Sequence, residues 1–493
     1  MATIKELSKK KPWINWVLFF GTVIIVFIIG IFAASIVERR SEAQLYFQMV
    51  EPIPEYEPRN EVWGRNFPRQ YESYRQTLDT TFESKYYGSA MIDYLEKYPE
   101  LVIMWAGYAF ARDYNQGRGH YYSVTDLHNT LRTVQSQPAT CWTCKSTDVP
   151  RVMDEIGVSE FYSRSWRDLG SQIVNPIGCQ DCHDPETMNL RITRPALAEA
   201  FERRGENIEH ATHQEMRSLV CAQCHVEYYF RGEDNYLVFP WDEGFSADDM
   251  ERFFDNYDFT DWVHGLSRAP MLAAQHPDYE LYKTGIHAQR GVACADCHMP
   301  YKREGGIKFT DHHLQSPLNN IEGSCQVCHR ESEETLRQNV YDRQNKVSEL
   351  RGIAEKHLAR IHLEAKIAWD AGATEEDMDD ILQLIRHSQW RWDWVAAANG
   401  MGIHSPNESL RVLATSIDKA QEARVLLSRV LSKYNVPQPV ELPDYSTKEK
   451  AQDLLGLDME GIRQQKEEFL NTVVPEWLEE ARIREKLYHH PWD

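Results

Sequence analysis

Ten cysteines in five C-x-x-C pairs govern what this chain can fold into. The pairs are Cys141/Cys144, Cys179/Cys182, Cys221/Cys224, Cys294/Cys297 and Cys325/Cys328, and they use all 10 cysteines of the 493 residues. No thiol is left for a disulfide or a separate thiolate metal site. Four pairs run directly into a histidine: His183, His225, His298 and His329. C-x-x-C-H is the attachment signature of c-type haem, in which two thioether bonds fix the porphyrin edge and the adjacent imidazole reaches the iron. Zinc is the alternative for any C-x-x-C. Zinc ribbons use two pairs per metal, so five pairs leave one over, and they do not habitually follow the second cysteine with histidine. Five covalent haem groups bring large flat apolar surfaces, and the core is expected to form around them. The 14 Trp, 24 Tyr and 18 Phe suit such packing.

The first pair is the exception, because Cys141-Trp142-Thr143-Cys144 runs into Lys145. An alkylammonium cannot ligate a metal, so Lys145 must be deprotonated, and burial against porphyrin and iron charge lowers its pKa. With an amine on one face, the other face can stay open to substrate. The histidine-ended sites can each take a second imidazole and become closed electron carriers. The chain has 19 histidines and four are in the motifs, which leaves fifteen for that role. Alternatively, Lys145 is incidental and another residue ligates that iron.

The net charge is −21, from 75 acidic and 54 basic residues. This argues against nucleic acid as a partner, which needs a basic footprint. From Pro12 to Val37 no residue is charged, a run of 26, above the roughly 20 needed to cross a bilayer. Lys5, Lys9, Lys10 and Lys11 precede it and Glu38, Arg39 and Arg40 follow, which favours an N-in orientation. The rest is then outside the cytoplasm, on the outer face of the membrane or in the periplasm. The segment reads either as a retained anchor over 12–37 or as a cleaved signal sequence, with Ala33-Ala34-Ser35 as a conceivable processing site.

Three regions are expected: 1–40 as the membrane anchor or signal segment, 41–330 as the haem-bearing catalytic region, and 331–493 as a long-helix region continuous with it. Pro52, Pro54, Pro58 and Pro68 break the segment after the anchor, residues 69–98 read as helical, and 100–330 as loop-rich with short helices. The first cysteines of successive pairs are 38, 42, 73 and 31 residues apart, which excludes a solenoid of equal repeats. Beyond Glu331, Val340, Val347, Ala354, Ile361 and Ala368 recur every seven residues, with Leu358 and Ala365 beside them, as one stripe of a long helix ending at Asp370. Thr374 and Asp377 start another, and Ser405-Pro406-Asn407-Glu408 reads as a capping box opening a helix to about Tyr434. The fold class is mainly α: a multihaem cytochrome c with a haem-packed core and long C-terminal helices.

The Cys-Trp-Thr-Cys-Lys site followed by four C-x-x-C-H sites resembles cytochrome c nitrite reductase, the ammonia-forming pentahaem family, over essentially the whole exported chain. Arg118-Gly119-His120, Leu131-Arg132-Thr133, Cys224-His225-Val226-Glu227-Tyr228, Ala274-Gln275-His276-Pro277, Gly285-Ile286-His287, Thr310-Asp311-His312 and Ile403-His404-Ser405-Pro406 are similar to family segments. The resemblance implies five haem c groups, with Lys145, His183, His225, His298 and His329 as proximal ligands. His312, His120, His404 and His287 would be the distal ligands of the second to fifth haems, with His313 as the neighbouring alternative to His312. It implies calcium held by Glu227, the carbonyls of Tyr228 and Ala273, and the Gln275 amide oxygen; oxygen ligands suit that ion. Where the family often has lysine, this chain has Ala273, and a carbonyl ligand tolerates the change.

The activity implied is dissimilatory six-electron reduction of nitrite to ammonium, an oxidoreductase reaction. Nitrite would bind through nitrogen at the Lys145 haem, held by Arg132 and His276, while Tyr228 assists in proton delivery or radical control. A cationic pocket of this kind reconciles an anionic substrate with an acidic chain. The resemblance also implies a membrane-bound multihaem quinol dehydrogenase as electron donor and a homodimer through the long helices, for which the Val340–Ala368 stripe is the candidate face, with packing of these helices on one another within the chain as the alternative. The competing readings are a pure electron carrier, a reductase with another main substrate (hydroxylamine, nitric oxide or sulfite), and a structural zinc protein.

Overall fold

The computed structural model describes residues 11–45, 49–135 and 137–486. The chain divides into two units, Met1–Pro52 and Ile53–Asp493. The first is built on one helix, α1 (Trp13–Leu45). Its Trp13–Val37 stretch, 25 residues with a mean hydropathy of 2.9 and none of it buried, is long and apolar enough to cross a membrane. The helix continues past the apolar run to Leu45. Lys5, Lys9 and Lys10, read as its inner flank, lie outside the described residues.

The second unit is mainly helical. Among the described residues, strands form only four two-stranded antiparallel ribbons. Three long helices make the frame: α2 (Glu333–Asp370), α3 (Glu375–Ala396) and α4 (Pro406–Lys433). The Ser332 side chain caps α2 at Thr335 N, and Thr374 and Asp377 cap α3 reciprocally. At α4 the expected capping box does not form: Ser405 makes no side-chain cap, and Glu408 instead turns to Arg411 at 2.7 Å. Pro406 at the first helical position suffices to start the helix. A fifth helix, α5 (Met459–Glu485), returns to the haem-bearing region, where the Trp477 ring lies so close over Gly170 that a Cβ there would clash.

One expectation needs correction. Residues 69–98 are not one helix. Helix gives way after Leu78, Asp79 turns the chain by accepting from Thr81 N, and a ribbon pairs Glu83–Ser84 with Tyr87–Gly88 before a short Tyr94–Lys97 helix. The heptad stripe does exist, but Val347, Ala354, Leu358, Ile361, Ala365 and Ala368 are buried within the single chain. These members of the stripe pack within the chain, the alternative to packing on a second copy. The exposed apolar residues on these helices are others, Ile353 on α2 and Val425 on α4.

The C-x-x-C motifs sit on single helical turns. His183 N, His225 N and His329 N donate to the carbonyls of Cys179, Cys221 and Cys325 at 3.0, 2.8 and 2.9 Å. One turn of α-type pitch thus brings both sulfurs and the imidazole to one side. At the odd site the turn is tighter, with Lys145 N donating to Trp142 O at 2.8 Å. Buried Arg194 ties the first three motifs together: its guanidinium donates to Thr143 O, Ser146 O and Asp181 Oδ1, and its backbone N to Gln223 Oε1. One residue inside each of these three C-x-x-C motifs, Thr143, Asp181 and Gln223, is therefore a structural connector.

Candidate active site and the histidine pairs

The structure brings eight of the singled-out histidines together in four pairs. Ring centres of His120 and His225 are 6.2 Å apart, His183 and His312 6.2 Å, His298 and His404 6.2 Å, and His287 and His329 6.3 Å. These rings do not touch. Two imidazoles on one metal atom, each with a bond of about 2 Å and about 1.1 Å from nitrogen to ring centre, stand roughly 6 Å apart. The chain thus holds four gaps of the width that an iron between two imidazoles requires. It is His312, not His313, that faces His183, and its Nδ1 is held by Thr310 O at 2.8 Å. No disulfide joins any of the ten cysteines. The motifs adjoin one another through sulfur, with Cys144 against Cys224, Cys221 against Cys294, and Cys297 near Cys325 and Cys328.

Lys145 ends the one motif that takes no part in these four ring pairs. Its carbonyl accepts from Ser123 Oγ at 2.7 Å, which also bonds His120 O and so joins the two segments. The residues gathered around it are Arg132, His276 and Tyr228. Lys145 and Arg132 both act electrostatically on His276, and Tyr228 lies beside Cys141 and Cys144. Burial pushes His276 down to about 3, so it rests as a neutral ring, and its Nδ1 has no hydrogen-bond partner. Burial raises Tyr228 well above the ordinary phenol value.

Arg132 is aimed from behind. Its Nε donates to Thr130 Oγ1 at 3.2 Å, Thr130 Oγ1 donates to Asp113 Oδ2 at 2.8 Å, and Leu131 N donates to the same oxygen at 2.9 Å. Its guanidinium lies 4.6 Å from the Phe110 ring centre. From α5, buried Lys466 donates to His128 O and Thr133 Oγ1, each at 2.8 Å, and locks the same loop. None of Asp113, Thr130 or Lys466 was legible as a site residue. They act through a backbone loop, and no motif marks them.

Behind this corner lies a nest of buried acid. Glu227 Oε2 accepts from Gln275 N at 2.7 Å, Asp261 Oδ2 from Ala273 N at 2.8 Å, and Asp393 Oδ2 from Ala274 N at 2.7 Å. Glu280 Oε1 accepts from Glu227 N and from the Trp241 indole. Glu227 Oε1, Glu280 Oε2 and Asp393 Oδ1 are buried without a partner. Burial raises all four carboxyls: Asp261 to about 7, Glu280 to about 8, Glu227 and Asp393 well above their usual range. Among the described residues no three His, Cys, Asp or Glu side chains converge as a ready-made metal centre. A cation here would need mixed oxygen ligands, and Ala273 O and the Gln275 amide stand together, with Gln275 Nε2 at 3.3 Å from that carbonyl. Asp261, Glu280 and Asp393 escaped the sequence reading, although a lone acid in Trp390-Arg-Trp-Asp393-Trp394 was a visible oddity.

Five attachment turns, four histidine gaps and one lysine corner define a multihaem c-type cytochrome with one site built unlike the rest. The family model for cytochrome c552 matches residues 59–486. The chain belongs to the cytochrome c552 family. It is 56% identical to cytochrome c-552 of Bacteroides fragilis ATCC 25285 over 489 residues, covering 97% of this chain and 99% of that one. It is 55% identical to cytochrome c-552 of Porphyromonas gingivalis W83 over 483 residues, covering 96% and 97%. Among solved structures it is similar to the catalytic subunit (NrfA) of cytochrome c nitrite reductase from Desulfovibrio desulfuricans ATCC 27774, which is described with two calcium sites. The TM-score is 0.73 at 32% identity, covering 83% of this chain and 91% of that one.

Proposed function

We propose that the chain is a dissimilatory, ammonia-forming cytochrome c nitrite reductase that reduces nitrite at a lysine-ligated haem c and feeds it through four bis-histidine haems. One asymmetry carries the reading: four motif histidines each face a second histidine across 6.2–6.3 Å, whereas the Lys145 motif stands outside these pairs, with His276 within electrostatic reach of Lys145 and Arg132, and Tyr228 beside Cys141 and Cys144. Haem at the Lys145 site, when bound, supplies an iron with one exchangeable position, and the others supply electrons.

The chain's own residues do the rest. The Arg132 guanidinium attracts the anion, and its Thr130–Asp113 support fixes its direction. His276, neutral at rest, offers an N–H toward an oxygen of the bound anion, and the anion's charge then makes protonation of the ring easier. Reduction of nitrite to ammonium takes up six electrons and eight protons, so a route for protons matters as much as one for electrons. Tyr228, beside the same motif, is placed to pass protons on while staying un-ionised itself. Glu227, the carbonyls of Tyr228 and Ala273, and the Gln275 amide oxygen would hold calcium, which would offset the acid behind the pocket; the partnerless Glu227 Oε1 supports this.

The sulfur contacts support a route in which the third haem in sequence order borders the Lys145 haem and the fourth and fifth extend from it. The acidic exported body, α1 as anchor or signal segment, and the family suggest the periplasmic face of the membrane. A membrane-bound multihaem quinol dehydrogenase is the donor proposed, and a homodimer the assembly.

The test is nitrite reduction by the purified pentahaem protein with a dye donor, wild type against Lys145→His. A large loss of turnover, with the nitrite-dependent spectral shift also lost, is expected. Unchanged turnover ends the open-site reading, and a wild-type spectrum indifferent to nitrite and cyanide leaves an electron carrier.

A further inference from the structure

Each motif histidine has one ring nitrogen for its iron and another, Nδ1, turned to the protein. What Nδ1 meets differs from site to site. His183 Nδ1 meets Met188 O at 2.9 Å, and His298 Nδ1 meets Gln315 O at 2.9 Å; both partners are neutral carbonyls. His329 has Glu331 at 4.0 Å, beyond hydrogen-bond reach, with both side chains about half exposed at 48% and 51%. His225 alone of the four meets a carboxylate within bonding distance, Asp278 Oδ2 at 3.1 Å.

That carboxylate is a built feature. Asp278 is buried, Asn399 N donates to its Oδ1 at 2.6 Å, and Asn399 Nδ2 donates to its Oδ2 at 2.8 Å. Its ion-pair partner among the described residues is His225. It follows His276-Pro277, so one short segment carries both the pocket histidine and the acid behind the neighbouring site. Through Cys224 against Cys144, that neighbouring site borders the Lys145 motif.

A ligating histidine that donates its second N–H to a carboxylate becomes more basic and partly imidazolate, and the oxidised metal is stabilised. We propose that Asp278 is a redox-positioning residue: through His225 it holds the haem at Cys221/Cys224 at a lower potential than a neutral partner would. One electron passed from this haem toward the Lys145 site leaves it oxidised, the state the carboxylate favours. The last relay before the pocket is thereby made a strong donor. Asn399 moderates the effect, because its amide competes with His225 for the same oxygen. The inference rests on His225 being an iron ligand, as read above.

The experiment is a redox titration of the pentahaem protein followed by the low-spin EPR signals. Asp278→Asn keeps size and an acceptor but removes the charge. The potential of the signal assigned to His225 is expected to rise by at least tenfold in the reduction equilibrium, about 59 mV for one electron. Asn399→Ala frees the carboxylate for His225, and the same potential is expected to fall. An Asp278→Asn protein with five haems and an unmoved or lowered potential overturns the proposal. If that variant does not accumulate with five haems, Asn399→Ala decides, and an unmoved or raised potential overturns it. A protein that merely needed this segment for packing would not show shifts of opposite sign. His225→Gly separates the two readings: if every low-spin signal survives, the ligand assignment itself fails; if one is lost while Asp278→Asn moves nothing, only the tuning role fails.

Discussion

At the level of single residues, the side chains that could be found were those whose chemistry is local. Cys, Cys and His within one helical turn announce themselves, and Lys145 stands out against four histidines. The distal partners His120, His287, His312 and His404 have no such local signal and were reached only through family resemblance. Asp113 had neither. It is buried and accepts from Thr130 Oγ1 and Leu131 N, and Thr130 in turn accepts from Arg132 Nε. Asp113→Asn should leave the haem complement and visible spectrum intact while loosening the arginine. Weakening one charge-assisted hydrogen bond is worth about 1.5–3 kcal/mol, so kcat/KM for nitrite should fall roughly tenfold to hundredfold. The loss should appear mainly as a higher KM, because anion capture is what suffers. Steady-state kinetics with a dye donor check this, and kcat/KM within twofold of wild type would show that the Asp113–Thr130 support is dispensable.

At the level of elements, the long helices were readable and the haem-bearing stretch was not, for one physical reason. α2, α3 and α4 carry periodic apolar faces over 22 to 38 residues and explicit starts, so sequence period and structure agree. Between 100 and 330 the helices are mostly one or two turns, set by attachment to porphyrin and not by a repeating face. Residues 69–98 misled because aromatic and charged residues alternate there without a strong breaker before Gly88. The direction in which the α2 stripe is buried was also not legible, since a heptad says that a face is covered but not by what. Gly285 shows how closely the ligand loops are fitted. Its φ would suit any residue, but an added Cβ would lie 2.1 Å from the His404 carbonyl. That contact joins the segment of His287 to that of His404. Gly285→Ala should cost about 1–3 kcal/mol and disturb two low-spin signals together. Gly352→Ala, in α2 with open space around it, should be neutral or stabilising by up to about 1 kcal/mol. Thermal melts and EPR of the two variants compare them directly.

At the level of the whole molecule, a chain of net charge −21 has buried four carboxyls in one nest behind the pocket that is to receive an anion. Left to themselves these groups answer by staying protonated, which is why Asp261 is raised to about 7 and Glu280 to about 8. An acid whose folded pKa is raised gives its full stability below its unfolded value, near 4, and loses it as pH climbs through the folded value. Without a cation the nest should therefore cost stability progressively from about pH 4 upward, and more at pH 8 than at pH 6. A divalent ion with oxygen ligands reverses the trend, since it stabilises the ionised forms. Removing calcium with a chelator should thus lower the melting temperature at both pH values, and by more at pH 8. Readdition of calcium should restore it, while magnesium, smaller and stricter in geometry, should do so poorly. Breaking one partner out of a buried ion set costs about 3–5 kcal/mol, ample to be seen in a melt and to reach Tyr228 and Gln275 beside the pocket. A melting temperature indifferent to chelator at pH 8, with calcium shown by elemental analysis to have left, would mean that the nest manages its charge by protonation alone.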